Sequence, residues 1–114
     1  MQYRGSCHCG KVAFEVTGEI KGAISCNCSI CSRRGSLLWF APRENLTVTG
    51  ESELTTYTFN KHVIKHRFCK HCGVLPFGEG MDGKGVATAA INIRCLENFE
   101  FEKVPLQFYN GRDS

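Results

Sequence analysis

A mainly β architecture follows from three features of this 114-residue chain. Apolar and polar residues alternate at period two in short runs, no segment sustains a 3.6-residue apolar period, and cysteines crowd into glycine-flanked groups. Val12, Phe14 and Val16 alternate with Lys11, Glu15 and Thr17 around Ala13, as in a strand with one buried face, and Gly18 turns the chain. Residues 37–41, 54–59, 63–68 and 86–93 are β-branched or aromatic runs of strand length, bounded by Gly, Pro or Asn. Asn60-Lys61 lies between two of them, which predicts a hairpin of 55–59 with 63–68 although the turn lacks Asn-Gly chemistry. Only residues 29–34 invite a short helical turn.

The length fits one compact domain over 1–114, and no Pro/Ser-rich stretch or charge run divides it. A chain of this size buries roughly 65% of the surface it exposes when unfolded, so its core is modest and cross-links matter. Residues 1–6 carry no apolar signal-peptide region, and no run approaches the ~18 apolar residues of a membrane span. A cytoplasmic location without membrane partners is therefore expected. In that reducing setting, eight cysteines are read first as metal ligands or reactive groups and only then as disulfides.

Seven of the eight fall into three groups: Cys7-His8-Cys9-Gly10, Cys26-Asn27-Cys28-Ser29-Ile30-Cys31 and Cys69-Lys70-His71-Cys72-Gly73. Closely spaced cysteines let sulfurs converge on one ion at Zn–S distances of about 2.3 Å while loop amides donate hydrogen bonds to those sulfurs. Gly10 and Gly73 stand where the tight turn needs a positive φ. Cys7 and Cys9 with Cys69 and Cys72 supply the four ligands of a closed tetrahedral zinc. Cys26, Cys28 and Cys31 supply three, the number that characterises catalytic zinc with an open position. Their compact spacing places them on a loop leading into a helical turn near the surface. Cys95 or a histidine could instead close this second site; otherwise Cys95 reads as a buried free thiol.

Arg33 and Arg34 follow the triplet and could pair with a substrate carboxylate, or form a solvated basic turn. His66 alternates with Ile64 and Phe68 and reads as a hydrogen-bonded core histidine; His8, His62 and His71 carry no assigned role. The formal charge of +3 counts every thiol as neutral, and seven thiolates with two zinc ions would bring it to zero. No nucleic-acid partner is therefore expected, and interleaved basic and aromatic residues are absent too.

The order Cys-x-Cys-Gly, Cys-x-Cys-Ser-x-Cys and Phe68-Cys-x-x-Cys-Gly resembles the glutathione-dependent formaldehyde-activating (GFA) family, which includes the centromere protein V type. The resemblance runs from Gly5 to about Arg112, through Trp39-Phe40, Tyr57 and Tyr109-Asn110-Gly111-Arg112. It implies a complex fold of small antiparallel β-sheets and two zinc ions. Cys7, Cys9, Cys69 and Cys72 match the family's structural set, and Cys26, Cys28 and Cys31 match its catalytic set. The implied activity joins formaldehyde to glutathione as S-hydroxymethylglutathione, whose reversal cleaves a carbon–sulfur bond. Asn27 departs from the pattern, which commonly has His there, as does Ser32, and the chain is short for the family. Two function classes follow: a zinc-dependent carbon–sulfur lyase acting on a small thiol adduct, or a non-catalytic zinc module for a protein or nucleic-acid partner.

Overall fold

The computed structural model describes residues 1–113. It is mainly β, with strands β1 (Gln2–Ser6), β2 (Ala13–Thr17), β3 (Ala23–Cys26), β4 (Leu38–Pro42), β5 (Leu46–Thr49), β6 (Leu54–Tyr57), β7 (Lys65–Cys69), β8 (Phe77–Met81), β9 (Ala87–Asn92) and β10 (Leu106–Tyr109). One α-helical turn, α1 (Cys31–Arg34), follows β3, and Gly35 ends it in the left-handed conformation at φ 74°. The described residues also hold single 3₁₀ turns at Arg43–Asn45, Glu51–Glu53, Ile93–Cys95, Phe101–Lys103 and Gly111–Asp113, too short to leave a periodic signal in the sequence. Among the described residues no helix is long and apolar enough to cross a membrane.

The strands form two sheets. One has the order β1-β2-β5 and the other β10-β3-β4-β9-β8-β7-β6. All pairings are antiparallel except β10 with β3, which is parallel. Phe14 and Val16 of β2 turn inward at every second residue, as their alternation predicts, and meet Phe77, Ala89 and Ile91 of the larger sheet in the core. The Phe14 and Phe77 rings cross edge to face at 6.3 Å, linking the sheets.

The hairpin forms, with Tyr57 opposite His66 and Leu54 opposite Cys69. Its strands end earlier than the apolar runs do. Asn60 and His62 take positive φ, and Phe59 leaves the strand to stack on His66 at 5.3 Å between ring centroids. Strands β1, β3, β5, β8 and β10 were not anticipated. They are short, and β8 carries two glycines, which weaken any strand signal from sequence.

The opposite face of the larger sheet positions the functional site. Tyr57, His66, Gly78, Ala90 and Phe40 are successive cross-strand neighbours from β6 to β4, so their side-chain positions share that face. Leu38, two residues before Phe40, pairs with Ile24, and Cys26 lies two residues beyond Ile24 on the same side. With only glycine and alanine at the middle of this row, a hollow is left above it.

Candidate metal centres

Two cysteine groups have converging sulfurs. The Sγ atoms of Cys7, Cys9, Cys69 and Cys72 all lie within 4.8 Å of one another, as do those of Cys26, Cys28 and Cys31. None of the eight cysteines is in a disulfide.

The four-cysteine group joins the turn after β1 to the turn after β7. Gly10 and Gly73 have φ of 82° and 80°, and a Cβ at either would meet nothing within 4 Å, so backbone conformation rather than space calls for glycine there. Cys7 and Cys9 sulfurs are 3.7 Å apart and Cys9 and Cys69 sulfurs 3.6 Å. A tetrahedron with Zn–S bonds of ~2.3 Å spaces its sulfurs about 3.8 Å apart, whereas a disulfide holds them at about 2.05 Å. The donor set therefore fits a tetrahedral thiophilic metal. The Val12 amide donates to Cys7 Sγ at 3.5 Å and the His71 amide to Cys69 Sγ at 3.4 Å, contacts that stabilise thiolate. At Cys72 burial opposes ionisation, but the Val74 and Cys9 amides outweigh it and draw the thiol down to about 6. The Lys11 amide pulls Cys9 the same way, yet desolvation and the neighbouring sulfurs of Cys69, Cys7 and Cys72 carry that thiol up to about 11. Val12, Val48, Leu54 and Val74 pack round Cys7 and Cys69, which are buried, while Cys72 is half-buried and Cys9 is exposed.

The triplet is differently built. Cys26 ends β3, Cys28 lies in the following loop and Cys31 opens α1, so the first ligand position is on a strand rather than on the loop expected for all three. The Cys28 amide donates to Cys26 Sγ at 3.4 Å. No fourth Cys, His, Asp or Glu among the described residues belongs to this cluster. Cys95 lies elsewhere, its thiol donating to the Leu75 carbonyl at 3.7 Å and held up at about 11 by burial, then by the charges of Cys7 and Cys72. Burial also pushes Cys31 up to about 12, with Cys28 and Cys26 adding to the effect and Arg34 opposing it. Burial resists ionisation of Cys28 too, but hydrogen bonds from Cys31 and Cys26 bring it below the ordinary thiol range.

The triplet opens onto a cavity of about 530 Å³ lying over the sheet face described above. That volume is within the range of small-molecule sites, roughly 300–1,000 Å³. Ile24, Leu38, Phe40, Ile64 and Ala90 form much of its wall, and Arg34 and His66 reach it as well. Arg34 is half-buried and spends its guanidinium on three neighbours: Nε donates to Ser36 Oγ at 2.8 Å, Nη1 to His66 Nδ1 at 3.3 Å and Nη2 to Cys31 Sγ at 3.8 Å. Arginine can only donate, so His66 Nδ1 accepts and its proton sits on Nε2. Burial and the Arg34 charge lower the basicity of His66 and keep it neutral. Arg33 instead donates to the Ser29 carbonyl at 2.7 Å on the exposed side of the turn.

Two contacts of this site were not readable from the sequence, although the residues that make them belong to the family pattern or depart from it. Asn27 clasps the C-terminal segment: its Nδ2 donates to Asn110 Oδ1 at 2.9 Å, and its Oδ1 accepts from the Arg112 amide at 3.0 Å. These partners are 83 and 85 residues away. The clasp brings Gly111 against the triplet, where a Cβ would sit 2.6 Å from Cys26 Sγ, so only glycine fits. The role of His66 as a cavity group was half visible. Its alternation with Ile64 and Phe68 placed it on a buried face, but not beside the cysteines.

The sequence model of the glutathione-dependent formaldehyde-activating enzyme family matches residues 2–110. A Talaromyces marneffei protein provisionally named a glutathione-dependent formaldehyde-activating enzyme is 31% identical over a 78-residue alignment that covers 63% of this chain and 42% of that protein. The chain thus matches less than half the length of this relative. The crystal structure of a Rhodobacter sphaeroides protein superposes with a TM-score of 0.79 at 32% identity, covering 91% of this chain and 99% of that one. The match extends through both cysteine groups and the Tyr109 strand, and this chain therefore belongs to the glutathione-dependent formaldehyde-activating enzyme family.

Proposed function

We propose that the chain works as one zinc-binding domain and is a carbon–sulfur lyase that makes or breaks the adduct of a small thiol with an aldehyde, such as S-hydroxymethylglutathione. Family membership supports the reaction class, and one observation carries the placement: three converging thiols, with no fourth ligand in their cluster, face a cavity of about 530 Å³. In this reading Cys7, Cys9, Cys69 and Cys72 hold a structural zinc, and Cys26, Cys28 and Cys31 hold the second. Zinc bound by the triplet would supply Lewis acidity, keeping a thiol in its nucleophilic thiolate form.

A free thiol of pKa ~8.5 is only about 3% ionised at pH 7, so full ionisation is worth roughly 30-fold. The larger contribution must come from positioning, for which holding two reactants together allows about 7–11 kcal/mol. The chain provides for that. The apolar wall lowers the polarity around the reacting pair, and Arg34 offsets negative charge at Cys31. His66 Nε2–H has no hydrogen-bond partner among the described residues and can donate to the oxygen of the adduct. In the forward direction a bond forms between the thiol sulfur and the aldehyde carbon, and the proton lost by sulfur ends on that oxygen. In reverse the oxygen loses the proton and the carbon–sulfur bond breaks.

The test compares the zinc-loaded protein with its Cys28→Ser variant, measuring approach to equilibrium with formaldehyde and a panel of thiols that includes glutathione. Acceleration above the uncatalysed rate is expected for the native chain and its loss in the variant. Equal acceleration by both would remove the triplet from the chemistry.

A further inference from the structure

Resting on the lyase reading of the triplet, the geometry points to a substrate class: we infer that the cavity takes an apolar thiol, and its aldehyde adduct, in preference to a multiply charged thiol peptide such as glutathione. The lining beyond the cysteines is dominated by Ile24, Leu38, Phe40, Phe59, Ile64 and Leu75. No Asp, Glu or Lys contributes to it. An ammonium group entering this space meets no carboxylate. Arg34 is the charged side chain of the wall, and its donors are already directed to Ser36, His66 and Cys31. Drawing it away to a substrate carboxylate would leave the His66 Nδ1 lone pair and the Cys31 sulfur without their donor.

Glutathione carries two carboxylates and one ammonium, and a buried charge without a partner is strongly disfavoured. A hydrocarbon group loses nothing on entering and removes apolar wall from water. The sheet gives the same answer by another route. Gly78 and Ala90 are direct cross-strand neighbours, and between Phe40 and His66 they leave a smooth floor with no side-chain donor or acceptor. Such a floor suits a flat or branched hydrocarbon. The polar side chains of the lining are the triplet, Arg34 and His66, with the amide of Asn60 and the phenol of Tyr109 besides, and none of these is a carboxylate or an ammonium. That composition matches a molecule with one reactive sulfur–oxygen end and an apolar body.

The experiment titrates the zinc-loaded protein by calorimetry with 2-phenylethanethiol and with glutathione, and repeats both with Ile64→Asp. Ile64 is 54% exposed, so the substitution places a carboxylate at the cavity rim without disturbing the core. Binding of phenylethanethiol at least 10-fold tighter than glutathione is expected, with the ratio falling several-fold in the variant. Equal or tighter binding of glutathione, no binding of either thiol, or a ratio unmoved by Ile64→Asp overturns the assignment. Turnover of both thiols with formaldehyde separates this inference from the reading beneath it. A preference for phenylethanethiol with no turnover sinks the lyase and leaves the ligand class standing, whereas turnover with glutathione preferred does the reverse.

Discussion

The two cysteine groups use the same side chain at similar local spacing, yet they stand in opposite relations to the fold. In the closed group, cysteine pairs 60 residues apart meet across the two sheets, with Cys7 and Cys69 buried among apolar side chains and Cys9 at the surface. In the open group all three cysteines lie within six residues, on the end of β3, in the loop after it and at the start of α1, beside a cavity. An unfolded chain cannot assemble the first set without closing a long loop, so metal bound there stabilises the native state. It can assemble the second set locally. Metal bound by both folded and unfolded chains contributes little to stability. If both groups hold zinc, the first would therefore give its binding energy to folding, and the second would keep most of it for a ligand.

The largest expected effect breaks this comparison at its stronger end. Structural zinc is worth about 10–16 kcal/mol in small domains, against a typical stability of about 5–15 kcal/mol. Cys69→Ser, at a fully buried position, should abolish the cooperative thermal transition seen by circular dichroism and lower bound zinc. Cys28→Ser should also lower zinc, to one ion per chain, but keep the native spectrum with a melting temperature within a few degrees. Were the two variants to lose stability equally, the division of labour would be wrong.

A smaller effect sharpens the open side. His66→Phe keeps the ring stacking with Phe59 but removes the Nε2–H donor. Loss of a single donor to a developing oxyanion costs about 100-fold in kcat or more. Turnover should fall by that order with KM little changed and two zinc ions retained, and His66→Gln, which keeps an N–H, should recover part of it. Activity within threefold of native in His66→Phe would exclude a role for the imidazole.

The same contrast explains what the sequence disclosed. Chelates built from neighbouring residues are legible, because Cys-x-Cys and Cys-x-x-Cys spacings carry their own geometry, and Gly10 and Gly73 take the positive φ their positions required. The alternation of β2 and the pairing of β6 with β7 were legible for the same local reason. What depends on distant partners was not. Strand β10 has every residue exposed, and its parallel pairing with β3 has no period-two signature. The Asn27 clasp and the crowding of Gly111 on Cys26 exist only once that strand is in place. The cavity likewise arises from Gly78 and Ala90 becoming neighbours, and small residues in a strand read as weakness rather than as room.

The smallest effect asks what holds the sheet beneath the cavity if the triplet does not. Glu79, next to Gly78 on β8, bonds Arg43 Nε at 2.7 Å and Arg67 Nη1 at 2.6 Å, with only 20% of its side chain exposed. Burial alone would raise its pKa, but the two guanidinium groups outweigh that and hold the carboxyl below its ordinary range. A carboxylate whose pKa is lower in the folded chain adds stability above the unfolded value of about 4.3, and loses it as pH falls through the folded value. Glu79→Gln should therefore cost about 2 kcal/mol near neutral pH, the scale of hydrogen bonds to charged groups. The gap between variant and native should stay level down to about pH 5 and close below about pH 4. Acid also strips metal from the cysteines, but it does so in both proteins, so the difference in melting temperature isolates Glu79. A gap that did not narrow at all as pH fell below about 4 would mean that side-chain packing, not the ion pairs, secures this part of the sheet.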